Sequence, residues 1–261
     1  MNVIHASTNE NIDLNLEHFG ADSSSARTVL LLHGGAGPFS VRELGKRLGA
    51  ERPVRVLVPT HPGFDGTTRP ASIDGVPALA TLYLELLAQL GASDVTVIGN
   101  SIGGWIAAEM ASRRDARVGR VVLVGATGVQ LAEHPLGDLS NITPDELTRR
   151  SYHQPERFRV DFAALPEAER ARRLGNRNAI VLYAGTHGMT DPTLAARLAA
   201  VRIPVLGLWG ESDGIVPPAY GRAYTALVPG ARFTLLPSTG HLPQLETPDA
   251  TVRTIAEFLP A

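Results

Sequence analysis

Apolar residues recur along the chain in two rhythms. Short, nearly unbroken runs rich in Val, Leu and Ile occupy Thr28 to His33, Val54 to Pro59, Val95 to Gly99 and Val118 to Val124. Runs this short and continuous predict strands buried on both faces. Between them, Val41 to Leu48, Val76 to Leu90 and Ile102 to Arg113 space their apolar residues three and four apart, as a helix with one buried face requires. Ile12 to Phe19 alternates apolar and polar residues, which predicts an edge strand. Strands alternating with helices predict the α/β class, with a mostly parallel sheet and helices on both faces.

After Gly125 this rhythm lapses into helical segments rich in Arg, Glu and Pro with no clear strand. It returns at Pro204 to Trp209 and Ala231 to Leu236, and Ala250 to Phe258 closes the chain as a helix. Segments 1–127 and 199–261 therefore read as one core, and 128–198 as a helical cap inserted in it, lying over the C-terminal edge of the sheet.

Composition narrows the picture further. With 261 residues, 44% hydrophobic and 19% charged, the chain can bury a sizeable core. A formal net charge of -2 offers no basic face for nucleic acid, so a small-molecule substrate is the expected partner. There is no cysteine, which excludes disulfides, a thiol nucleophile and cysteine-bound metal. The first residues lack a basic stretch followed by an apolar run, and no apolar stretch approaches the ~20 residues of a membrane helix. A cytoplasmic protein without membrane insertion is expected.

The motif that carries chemistry is Gly99-Asn100-Ser101-Ile102-Gly103, a G-x-S-x-G directly after a strand and directly before a helix. A serine on so sharp a turn needs small residues two positions away on either side, which Gly99 and Gly103 supply. The turn lifts the hydroxyl above the sheet and leaves the first N–H groups of the helix free to meet negative charge. A serine hydroxyl needs a base, and the base needs a carboxylate to fix its tautomer. His241 follows the last strand and Asp213 the strand before it, in the chain order Ser, Asp, His. Glu211, two residues from Asp213, is the competing carboxylate. His5, His18, His61, His134, His153 and His187 lack a strand-end position that ties them to the elbow, and most read as surface or cap residues.

An oxyanion hole needs two backbone donors. The N–H of Ile102 is one, and the glycine-rich loop His33-Gly34-Gly35-Ala36-Gly37 offers the N–H of Gly35, with Ala36 as its neighbour alternative. His33 at the strand end reads as loop support. That loop matches neither phosphate-binding glycine pattern, and no HExxH or similar cluster occurs, so neither a cofactor nor a metal is expected.

Leu31-Leu32-His33-Gly34-Gly35, Pro59-Thr60-His61-Pro62-Gly63-Phe64-Asp65-Gly66, the Ser101 elbow, Trp209-Gly210-Glu211-Ser212-Asp213 and Gly240-His241 together resemble the α/β-hydrolase superfamily along nearly the whole chain. The resemblance implies an eight-stranded, mostly parallel sheet with a helical cap after the sixth strand. Asn100 before the serine looks like the meta-cleavage-product hydrolases, which break carbon–carbon bonds in vinylogous diketones. Leu242, however, stands where those enzymes often carry tryptophan, and Arg177 or Arg150 would have to serve as their cap arginine. A serine at the elbow speaks against haloalkane dehalogenase chemistry, for which the related fold uses aspartate.

The leading expectation is a serine hydrolase that cleaves a carboxylic ester of a small apolar substrate through an acyl-enzyme. The alternatives are carbon–carbon hydrolysis and a non-catalytic ligand-binding protein of this fold. The cap is expected to define the acyl and alcohol pockets, with Val129, Leu131, Leu136, Phe158, Phe162, Ile180, Leu182 and Tyr183 as candidates; apolar residues at helical spacing pack a core more often than they line a pocket, so none is assigned singly to substrate. Arg149, Arg150, Arg170, Arg172, Arg173 and Arg177 could bind an acidic substrate, but the interspersed Glu and Asp favour a solvated surface.

Overall fold

The structure is a computed structural model that describes residues 2–7 by their backbone, and 12–23, 26–138 and 142–260 in full. The first half runs β1 (Asn2–Ser7), β2 (Asp13–Gly20), β3 (Arg27–Leu32), α1 (Phe39–Glu51), β4 (Val54–Pro59), α2 (Val76–Gln89), β5 (Val95–Asn100), α3 (Ile102–Ser112) and β6 (Val118–Val124). Then come β7 (Gly128–Val129), α4 (Pro144–Ser151), α5 (Glu167–Ala184), β8 (Thr190–Asp191) and α6 (Leu194–Leu198). The chain finishes with β9 (Val205–Gly210), α7 (Pro218–Ala226), β10 (Arg232–Leu236), α8 (Pro243–Glu246) and α9 (Pro248–Phe258).

Eight strands form one sheet in the order β1-β2-β4-β3-β5-β6-β9-β10. The pairs β1–β2 and β2–β4 are antiparallel and the remaining ladder is parallel. The unbroken apolar runs follow from burial on both faces: every residue of β5 and of β9 is buried. Successive side chains alternate between two cores, as the pleat requires. Val29 and Leu31 pack with Val41, Leu44 and Leu48 of α1 and with Val252 and Ile255 of α9, while Leu30 and Leu32 pack with Leu79 and Tyr83 of α2 and Ile102 and Ile106 of α3. Each fully buried Leu or Ile contributes about 1.5–3 kcal/mol, so the helices are fixed to the sheet by dozens of such side chains.

Two expectations need correction. The strand at Ile12 to Phe19 is not at the edge: β2 lies between β1 and β4, and β1 takes the edge position. Its alternating start, with Leu14 and Leu16 buried and Asp13 and Asn15 exposed, records one covered face, which a strand one place from the edge also shows. The segment between β6 and β9, read as lacking strands, contains the two-residue parallel pair β7–β8. Runs that short carry no periodic signal.

The strand order also locates a crevice. From β3 the chain passes through α1 on one face to β4, then returns through α2 on the other face to β5 on the far side of β3. The connections leaving the C-terminal ends of β3 and β5 therefore diverge, and ligands of open α/β sheets bind where strand order reverses in this way. The loop His33–Gly37 and the Ser101 turn are those two connections. Among the described residues no helix is long and apolar enough to cross a membrane.

Candidate active site

Ser101 sits between β5 and α3 with φ 55° and ψ −119°, a left-handed conformation that costs a non-glycine residue about 1–3 kcal/mol. Its backbone is held on both sides: its N–H donates to the Val124 carbonyl at 2.9 Å, and its own carbonyl accepts from Trp105 N at 3.1 Å and Thr127 N at 3.3 Å. The flanking glycines are required by contact. A Cβ on Gly99 would stand 2.0 Å from the Gly103 carbonyl oxygen, and one on Gly103 would stand 2.4 Å from that of Leu32. The Ile102 N–H opens α3, so it has no acceptor within the helix and lies at its positive end.

His241 follows β10 and Asp213 follows β9, and their side chains meet: Nδ1 of His241 lies 2.8 Å from Oδ2 of Asp213. Both are buried, with 6% and 3% of their surface exposed. The other carboxylate oxygen of Asp213 accepts from the Ile215 and Val216 N–H groups at 3.0 and 2.8 Å, which fixes the carboxylate plane. With Nδ1 committed to Asp213, Nε2 is the nitrogen left for chemistry. Glu211 is exposed and accepts from the Ser238 N–H at 3.1 Å instead.

The glycine loop lies against the Ser101 turn: a Cβ on Gly34 would be 3.1 Å from Cβ of Ser101. The Gly34 carbonyl accepts from Nδ1 of His33 at 2.7 Å and from the Gly37 N–H at 3.1 Å. In a trans peptide the C=O and the following N–H point in opposite directions, so these bonds aim the Gly35 N–H away from His33. Above it sits α5, where Cδ1 of Ile180 lies 2.0 Å from the place a Gly35 Cβ would take. Further along α5, Asn176 accepts from the Asp65 N–H at 2.7 Å and Tyr183 donates to the Pro62 carbonyl at 2.8 Å.

The arrangement combines a strained serine, a histidine–carboxylate pair and backbone donors at a helix N-terminus. Among the described residues no three His, Asp or Glu side chains gather so as to hold a metal ion. The arginines of the inserted segment are engaged locally. Arg149 and Arg150 pair with Glu146, Arg172 with Glu169 and Asp65, and Arg173 with Glu169. Arg170 donates to the Ala163 and Leu165 carbonyls and Arg177 to that of Ile142.

A model of the alpha/beta hydrolase family matches residues 29–254. The chain belongs to the alpha/beta hydrolase family. It is 30% identical to the pimeloyl-(acyl-carrier protein) methyl ester esterase of Aromatoleum aromaticum, over 85% of this chain and 93% of that one. It is 28% identical to the 2-hydroxy-6-oxo-6-phenylhexa-2,4-dienoate hydrolase of Burkholderia cepacia, over 91% and 89%. The fold matches a bromoperoxidase from Bacillus anthracis with a TM-score of 0.78 at 22% identity, covering 98% and 99% of the two chains.

In this alpha/beta hydrolase His61, read from sequence with the surface and cap histidines, is fully buried. Its ring lies against that of His33 with centroids 3.8 Å apart and the planes tilted by 31°. Carbonyl oxygens only accept, so the protons can be placed: Nδ1 of His33 donates to Gly34, and Nε2 of His61 donates to the His33 carbonyl at 2.9 Å. The remaining nitrogens accept, His33 Nε2 from the His61 N–H at 3.1 Å and His61 Nδ1 from the Tyr83 hydroxyl. Burial holds His33 at a pKa of about 4 and His61 well below the usual histidine range, so both rings are neutral near pH 7. Of the other histidines, His153 and His187 are exposed, His18 and His134 half-buried, and the His5 side chain lies outside the described residues. Asn100 was legible only as a family marker. Its amide donates to the Val124 and His241 carbonyls at 3.1 and 3.2 Å and joins the serine turn to the histidine loop.

Proposed function

We propose that this hydrolase cleaves carboxylic esters of small apolar substrates with Ser101 as nucleophile, His241 as base and Asp213 as the carboxylate that orients the base. The observation that carries the reading is the buried 2.8 Å bond between Asp213 and Nδ1 of His241, whose backbone carbonyl accepts from the amide of Asn100, the neighbour of a serine held in strained geometry. Nε2 takes the Ser101 hydroxyl proton as Oγ attacks the carbonyl carbon. The N–H groups of Ile102 and Gly35 receive the oxyanion, and the α3 N-terminus adds its positive end. Collapse expels the alcohol, which takes the proton back from Nε2 and leaves an acyl group on Oγ. Water, deprotonated at Nε2, attacks that ester and releases the carboxylic acid. Segment 128–198 acts as a cap that shapes the acyl site, with Ile180 beside Gly35.

Carbon–carbon hydrolysis of meta-cleavage dienoates is the second reading, favoured by the relative in Burkholderia cepacia. Against it, both amide hydrogens of Asn100 are committed to backbone carbonyls, Leu242 stands beside His241, and the cap arginines have partners.

The test is hydrolysis of p-nitrophenyl esters from acetate to laurate by the wild type and by Ser101→Ala, with a meta-cleavage dienoate in the panel. The expected result is ester turnover in the wild type that falls by about 10³–10⁶-fold in Ser101→Ala. Preference for the dienoate moves the assignment to carbon–carbon cleavage, and turnover of neither moves it to a ligand-binding role.

A further inference from the structure

The histidine loop is closed on itself and on the inserted segment by one carboxylate. Glu246, at the end of α8, comes five residues after His241 in the chain and folds back to it. Its Oε2 accepts from the Gly240 N–H at 2.6 Å and the His153 N–H at 3.1 Å, and its Oε1 accepts from the Gln154 N–H at 2.8 Å. A carboxylate offers about four acceptor positions, so three backbone donors from two separate segments nearly saturate it. Such bonds to an ionised acceptor are stronger than neutral ones.

The same stretch of the inserted segment reaches the acid and base loops directly. The last carbonyls of a helix have no partner within it, and the final two of α4 find theirs here. The Arg150 carbonyl accepts from the Gly214 N–H at 2.9 Å and the Ser151 carbonyl from the His241 N–H at 2.7 Å. Two residues on, Nδ1 of His153 lies 2.8 Å from the Ser212 hydroxyl. Residues 150–154 thus bind the residue after Asp213, the backbone of His241 itself, and, through Glu246, the residue before His241.

We propose that Glu246 is a positioning residue that couples residues 150–154 to the histidine loop, so that the His241 imidazole keeps its register with Asp213 only while that segment is docked. The proposal rests on the reading of His241 as the base. Its chemical consequence is gating: when the segment lifts to admit substrate or release product, the base loses its fixed place, and docking restores it. Glu246 touches neither substrate nor reacting atoms, and it acts through the backbone of Gly240 and His241.

The experiment uses the full chain with Glu246→Gln, in which an NH₂ group faces N–H donors that the carboxylate accepted. Displacing a catalytic group by about 1 Å costs up to about 100-fold, so kcat on the preferred ester is expected to fall about 10- to 100-fold while KM stays within about twofold. Phosphonylation of Ser101 by a fluorophosphonate should slow in parallel, because that attack needs the same base. A merely structural role would lower the melting temperature and leave kcat and labelling rate of the folded fraction unchanged, which would overturn the proposal, as would a loss confined to KM. If Glu246→Gln does not fold, Ser212→Ala decides, since it frees the same segment at His153. A kcat lowered by about two- to fivefold at constant KM supports the coupling, and an unchanged kcat refutes it. Ser101→Ala runs beside both: turnover retained there removes the serine reading, whereas a dead Ser101→Ala with an unimpaired Glu246→Gln removes only this inference.

Discussion

Helices α3 and α5 both border the site, and they are held there by opposite means. All residues of α3 from Ile102 to Ala111 are buried, leaving only Ser112 at the surface end. Of the eighteen residues of α5, Asn176, Ala179 and Tyr183 are buried, while Leu174 and Val181 are 51% and 57% exposed. The register of α3 is overdetermined by packing on the sheet, which lets the protein hold Ser101 at positive φ against its strain. The position of α5 depends on one face with i, i+3, i+7 anchors and on ion pairs such as Arg172–Asp65, each worth about 0–1 kcal/mol when partly exposed. Elements with few buried contacts open at lower free energy. Under the proposed function, chemistry falls on the rigid side of the crevice and substrate shape on the adaptable side.

Substitutions that separate these roles test the comparison, and the largest effect belongs to the rigid side. In Asp213→Asn the amide oxygen retains the Ile215 and Val216 N–H bonds, but its NH₂ faces Nδ1 of His241 and forces the tautomer with a proton on Nε2. That ring cannot accept the serine proton, so kcat should fall about 10³–10⁴-fold, measured on the preferred p-nitrophenyl ester. A loss under tenfold would remove Asp213 from its role and with it the claim that the chemistry lies on this side.

The next effect concerns stability and probes the packing under the glycine loop. His33 has a folded pKa of about 4 against 6.5 in the unfolded chain, so between those values the unfolded state binds more protons. Stability is therefore full above pH 6.5 and is lost as pH falls toward 4, by about 3 kcal/mol from this residue. Urea midpoints at pH 7, 5.5 and 4 should show that slope. His33→Asn, which places an amide near the Nδ1 position, should reduce it, and an unchanged slope would show that His33 does not carry the dependence.

Local pattern made the sheet and the Ser101 turn legible. β4 and β6 have the bounds their apolar runs predict, because a strand buried on both faces writes its full length in Val and Leu. The G-x-S-x-G turn was equally readable, since at Gly99 the demand for glycine is local: a Cβ there would stand 2.0 Å from the carbonyl oxygen of Gly103, four residues on. Asp213 and His241 could be picked by their places after β9 and β10, and they meet in space. What escaped are contacts made across long chain separations. His61 bonds His33 across 28 residues, and no periodicity distinguishes its imidazole from an exposed one. Asn176 on a mostly polar helix looks like solvent-facing surface until Asp65 is brought to it. β1 hid for another reason: its pairing with β2 is needed to make it a strand at all.

A change in ester preference of roughly 1 kcal/mol separates the two helices most directly, because it sets one deletion against another of the same size. Ile180 on α5 and Ile106 on α3 are both isoleucines near the site, the first half-buried with Cδ1 against Gly35, the second fully buried in the core beneath the sheet. Ile106→Ala opens a cavity that the sheet cannot collapse into and should cost about 2–5 kcal/mol of stability with the order of preferred esters unchanged. Ile180→Ala removes atoms from the space beside the proposed oxyanion donor, where a longer or branched acyl group can follow. The kcat/KM ratio of hexanoate to acetate p-nitrophenyl esters should rise by about three- to tenfold, roughly 1 kcal/mol of discrimination, with less loss of stability than Ile106→Ala. If the ratio moves in Ile106→Ala and stays fixed in Ile180→Ala, the acyl pocket lies on the α3 side and α5 serves only as a cover.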